Sequence, residues 1–237
     1  MAALRLALAA LLLAPGLARA AKDVTVVTDM TAEGRRALPP TPAHPVYYVP
    51  TVRGYQVIGP AISGEQAPSP HDVVRAAALE LARQGYLVVD DAHPRPDLLL
   101  DFAWGYLNRI GDSDFNQGQA FSLVLGQTIS SVFLPESVGH QAFMDAAKDT
   151  RYFVILTAYD YDAYADRRAH IQLWQSKMST PINGVFFDDV LVSLLRAGGP
   201  SIGRETLIRP KLAPLYPEGR VEVGEPTVKG YLPSPLK

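Results

Sequence analysis

The stretch Asp97-Leu98-Leu99-Leu100-Asp101-Phe102-Ala103-Trp104-Gly105-Tyr106 sends Leu98, Leu100, Phe102, Trp104 and Tyr106 to one side of an extended chain. Leu99, Asp101, Ala103 and Gly105 fall on the other side. A strand with so heavy an apolar face needs a layer packed against it, so the segment is expected to be a central strand under helices.

Upstream, Ser69-Pro70-His71-Asp72 opens a helix: Ser69 can cap, Pro70 suits the first helical position and Asp72 sits near the positive end of the dipole. The helix is predicted to run to about residue 84 with Val74, Ala77, Ala78 and Leu81 on its buried face, and Gly85 ends it. Residues 86–89 follow as a strand. Before the helix, 47–49 and 55–58 read as two short edge strands joined through Arg53-Gly54, and 59–68 as a Gly/Pro-rich loop.

Downstream, 121–133 and 137–148 carry helical apolar stripes. The β-branched and aromatic runs 152–161 and 170–178 are predicted to form a long hairpin around the polar insertion 162–168. The last helix begins near Asn183-Gly184, carries Phe186, Phe187, Val190, Leu191, Leu194 and Leu195, and stops at Gly198-Gly199-Pro200. The order β-β-α-β-β-α-α-β-β-α is not a run of βαβ units. It predicts an α+β (α/β) single domain with a mixed, largely antiparallel sheet, helices packed on it and proline-rich extended ends.

Residues 1–20 have the zones of a secretory signal peptide: Arg5, an apolar run too short to span a bilayer, a Pro15-Gly16 break and Ala18-Arg19-Ala20. No later stretch is long and apolar enough to span. Residues 21–44 read as an extended arm, 45–207 as the domain, and 208–237 as an extended tail. The chain holds no cysteine, which excludes disulfides, thiolate metal sites, a cysteine nucleophile and a lipidated amino-terminal cysteine. An exported cysteine-free chain is expected in a bacterial periplasm or outside the cell. Its formal charge of −2, roughly −4 without the leader, is spread over both signs and argues against nucleic acid as a partner.

Asp112, Asp114 and Asn116 alternate as in the start of a calcium loop, but Leu123 stands where a bidentate acid is required, so a solvated turn is favoured. Asp160, Asp162 and His170, among Tyr159, Tyr161 and Tyr164, form the densest polar cluster and are the catalytic candidates, as an acid/base pair or a cation site. A hairpin end with Asp turns, Asp-Arg pairs and exposed Tyr is the favoured explanation, because surface ion pairs need no function. Trp174, Tyr47 and Tyr55 are the candidates for a ligand or partner surface. The five histidines lack zinc spacing, and no nucleophile elbow or phosphate-cradling loop occurs, so no metal and no cofactor is expected.

Leu81-Ala82-Arg83-Gln84-Gly85-Tyr86 and Asp97-Leu98-Leu99-Leu100-Asp101-Phe102 resemble the helix, glycine and Asp-led strand of exported bacterial envelope α/β proteins of unknown function, many of them lipoproteins. Leu173-Trp174-Gln175-Ser176-Lys177-Met178-Ser179 and Gly203-Arg204-Glu205-Thr206 are similar to segments of the same group. The resemblance implies an envelope location and no chemistry, and the missing cysteine departs from the lipoprotein pattern. The leading expectation is a non-enzymatic periplasmic module that binds another envelope protein or a ligand through a sheet edge and extended ends. The alternatives are a hydrolase or cation-dependent enzyme using Asp160, Asp162 and His170, and a self-associating structural subunit.

Overall fold

A computed structural model describes residues 23–108, 148–182, 184–206 and 211–214. The decisive strand is present as β4 (Leu98–Leu107), with every residue buried. It runs parallel to β2 (Val46–Ile58) and antiparallel to β5 (Arg151–Asp160), which turns back into β6 (Gln172–Pro181) as the predicted hairpin. With β1 (Asp23–Met30), β3 (Tyr86–Val88) and β7 (Lys211–Pro214) they make a seven-stranded sheet in the order β3-β2-β4-β5-β6-β1-β7. Four of the six pairings are antiparallel, so the protein is a mixed α+β single domain, as the periodicities imply.

Among the described residues two helices cover one face, α1 (Pro70–Arg83) and α3 (Phe187–Gly198), while α2 (Tyr161–Arg167) fills the hairpin insertion. Leu100, Phe102 and Trp104 of β4 join Tyr152, Val154 and Leu156 of β5, Val73, Ala77 and Leu81 of α1, and Val190, Leu194 and Leu195 of α3 in one buried cluster. Each such side chain contributes about 1.5–3 kcal/mol on leaving water. Loop 59–69 is tied down where Tyr106 Oη accepts from the Ile62 N–H at 2.9 Å and Tyr152 Oη donates to Glu65 Oε2 at 2.5 Å. That anchoring fixes where α1 starts relative to β2.

The structure departs from the sequence expectations at the ends and in β2. Residues 47–49 and 55–58 belong to one strand of 13 residues, bulged between Val52 and Gly54, and not to two edge strands. Its first residues lie between β3 and β4. Within the expected arm 21–44, Asp23–Met30 is a strand between β6 and β7, and within the expected tail Lys211–Pro214 pairs with it. Ser69 supplies its carbonyl, but no side-chain bond, to the start of α1. The helices expected at 121–133 and 137–148 lie outside the described residues, apart from Lys148, as does the leader. Among the described residues no helix is long and apolar enough to cross a membrane.

Candidate functional site

Among the described residues, the hydrogen-bond parity of β2 defines an open edge. In parallel pairing a residue's N–H and C=O point to the same neighbour, alternately left and right. The Val46 N–H donates to Gly85 O and Tyr48 O accepts from the Val89 N–H, whereas Tyr47 O accepts from the Asp97 N–H, so even positions face β3 and odd ones face β4. β3 ends at Val88, so Pro50 places its missing donor where no partner strand stands. The bulge then reverses the parity: Ile58 O accepts from the Asn108 N–H on the β4 side, leaving the backbone groups of Tyr55 and Val57 directed outward. Among the described residues no strand pairs with this part of β2.

Beside that edge lies an apolar groove of about 400 Å³ lined by Val52, Pro70, His71, Val74, Arg75 and Ala78. Its origin is a rotation of α1 about its axis. The buried positions of the helix are Val73, Ala77, Glu80 and Leu81, so Val74 and Ala78, which the sequence pattern puts on the buried face, flank it instead. The helix is more broadly apolar than the sheet beneath it can cover. Val52 and Val57 are half exposed, at 50% and 49%, and Arg75 places a positive charge on the rim beside His71. Paired outward amides beside apolar sockets are what an added strand requires: backbone bonds for affinity, alternate side chains for selection.

The opposite face of the sheet is polar where it crosses the middle strands. Thr51, Asp101, Thr157, Gln175 and Asp29 are register neighbours across β2, β4, β5, β6 and β1. Arg53 pairs with Asp101 at 2.5 Å, Gln175 Nε2 donates to Thr157 Oγ1 at 3.0 Å, and Lys177 Nζ donates to Asp29 Oδ2 at 3.1 Å. Burial pushes the Lys177 ammonium down from its usual range, and Asp29 offsets part of that. Between its lowered folded value and an unfolded value of about 10.4, the unfolded chain binds the extra proton, so this group's contribution to stability rises with pH. Relative to Lys177→Met, the native protein is therefore expected to gain stability from pH 7 toward pH 10, as read by paired urea denaturation curves. A difference that stays flat or shrinks would refute the assignment.

The predicted catalytic residues do not converge. Asp160 caps α2, accepting from the Ala163 N–H at 2.8 Å. Asp162 is exposed and pairs with Arg95 at 2.9 Å. His170 lies edge-on to Tyr159 and tilted against Tyr164, with centroids 5.7 and 5.2 Å away. The three occupy one end of the hairpin, yet each is engaged with a different group. The aromatic candidates are likewise separate: Trp174 is buried against Tyr86, Tyr47 stacks on His93 at 4.3 Å, and Tyr55 packs edge-on to Tyr106 and Phe187. Of these, Tyr55 belongs to the open edge through its backbone, while burial raises its hydroxyl well above the usual tyrosine range. Asp112, Asp114 and Asn116 lie outside the described residues. Sequence reasoning put 47–49 and 55–58 at a sheet edge but missed the single bulged strand that carries it. Its signals were Pro50 and Gly54 inside a β-rich run, marking a strand free on one side.

No family model and no curated protein matches the sequence. Among solved structures, the chain is similar to the PelC dodecamer from Paraburkholderia phytofirmans, at 10% identity and a TM-score of 0.36 over 77% of this chain and 98% of that one. It is also similar to a DUF4136 family protein from Bacteroides thetaiotaomicron, at 12% identity and a TM-score of 0.36 over 77% of this chain and 97% of that one.

Proposed function

We propose that this protein is a non-enzymatic binding module of the bacterial envelope that takes up an extended peptide segment along the open edge of β2. The observation that carries the reading is the outward backbone of Tyr55 and Val57, unpaired among the described residues, next to the groove formed by Val52, Val74 and Ala78. The leader-like residues 1–20 support an exported setting, and for an exported chain the lack of cysteine is ordinary in a bacterial periplasm. An open edge of this kind is a pairing template unless something covers it. The bound segment would alternate apolar and polar residues, with the apolar set entering the groove.

A library of such peptides displayed on phage and selected against the protein tests this directly. Selected sequences are expected to bind about tenfold more weakly to Val57→Pro, which removes an outward donor while sparing the β4 ladder, and to Val52→Lys, which places a charge at the groove. Selection of sequences indifferent to both substitutions would sink the proposal.

A further inference from the structure

Resting on that binding-edge reading, we propose that the β2 edge is occupied by a segment of a second copy of this same chain, residues 218–225 of its C-terminal tail. The segment Glu218-Gly219-Arg220-Val221-Glu222-Val223-Gly224-Glu225, bounded by Pro217 and Pro226, is the longest proline-free run after Pro214. It can therefore donate continuously to a strand edge over eight residues, against six for the run Thr227 to Leu232 after Pro226. Val221 and Val223 share one side of an extended chain, with Arg220 and Glu222 on the other.

The pattern matches the edge on both faces. With Val221 and Val223 on the helix-covered side, they meet Val52 and the groove, and Glu225, in phase with them, comes to the Arg75 and His71 rim. Glu222 then falls on the opposite face, the side from which Arg53 reaches Asp101. The segment carries three acids against one arginine, opposite in sign to Arg75 at the groove rim.

The donor is a second copy because of where the tail starts. It leaves the sheet from β7, at the far edge from β2, with β1, β6, β5 and β4 between them. Five strand spacings are about 24 Å, and the seven residues from Pro214 to Val221 reach about the same distance only when fully extended. Nothing is left for a path around the helical layer. Each copy that receives a tail still offers its own, so the contact is head-to-tail and generates a ring or an open chain.

Sedimentation velocity over a concentration series tests the assignment with the full chain and two variants. One is the tail variant Val221→Lys with Val223→Lys, and the other is the groove variant Val52→Lys. The wild type is expected to associate with rising concentration, each variant to associate at least tenfold more weakly, and a mixture of the two to form a dimer that grows no further. In that dimer the intact tail of the groove variant enters the intact groove of the tail variant. A wild type that stays monomeric, variants that associate like the wild type, or a mixture that does not complement would each overturn the proposal. Should Val52→Lys melt early, Val57→Pro replaces it as the groove variant. If the phage-selected peptides bind while the tail variant associates normally, the tail assignment fails and the binding-edge reading survives; if neither binds, both fail.

Discussion

Gly105→Ala is expected to destabilise the protein by roughly 4 kcal/mol or more, a large part of the 5–15 kcal/mol that holds a domain together. Gly105 sits in the central strand at φ +152, opposite Gln56, and a Cβ built there would lie 1.8 Å from the Gln56 carbonyl oxygen. Two costs combine: a backbone conformation that side chains rarely adopt, and a collision with main chain that cannot swing away as a side-chain tip would. Just before this point β2 is bulged, and the bulge turns Gln56 O toward β4. The glycine is the space into which the re-phased strand closes. Gly54→Ala separates the two costs, because Gly54 has φ +88 with no atom within 4 Å of its built Cβ. It is expected to lose about 1–3 kcal/mol from conformation alone. Urea midpoints that put Gly105→Ala no lower than Gly54→Ala would remove the close approach as an explanation. An intact Gly105→Ala fold would also deprive the open edge of its geometric cause.

The parts of this fold legible in the sequence are those with a contrast between their two faces or a strong end signal. α1 announces itself through Pro70 and Gly85, α3 through its stripe and the glycines after it, and the β5–β6 hairpin through β-branched runs on either side of a polar insertion. β1 is not legible, because Val24, Val26 and Thr28 are buried on one face and Thr25 and Val27 on the other. A strand covered on both sides is legible only where large apolar residues alternate with small or polar ones, as in β4, and β1 lacks that contrast. β2 is misread for a different reason: Pro50 and Gly54 each look like a break, yet one lies on the unpaired side and the other belongs to a bulge. The polar cluster at Asp160, Asp162 and His170 stands out by composition, whereas the structure accounts for it as a cap, an ion pair and a ring contact. The groove depends on a difference of about one helical position between the apolar stripe of α1 and the part the sheet covers. Only packing reveals such an offset.

Arg151→Ala is expected to cost about 3–5 kcal/mol, the range for emptying the site of a large buried side chain and stranding its hydrogen-bond partners. Arg151 is 1% exposed and among the largest fully buried side chains of the described residues. Its Nε donates to Ser179 Oγ at 3.0 Å, and its Nη2 reaches Ser179 O and Thr25 Oγ1, each at 3.1 Å. Ser179 and Thr25 are register partners, so one guanidinium ties β5 to β6 and to β1. Truncation removes those bonds and leaves a void the size of a long side chain, which well-packed strands cannot collapse to fill. Arg151→Lys keeps the charge but not the planar fork, and is expected to lose about half as much, since a point donor cannot serve three acceptors in that geometry. Thermal or urea unfolding of the three proteins gives the order wild type, Lys, Ala. If Ala instead falls within about 1 kcal/mol of the wild type, the strands are held by their ladders alone and the guanidinium is incidental to the assembly of β1 onto the sheet. The order bears on the edge as well, because β1 carries β7, and β7 fixes the point from which the tail departs.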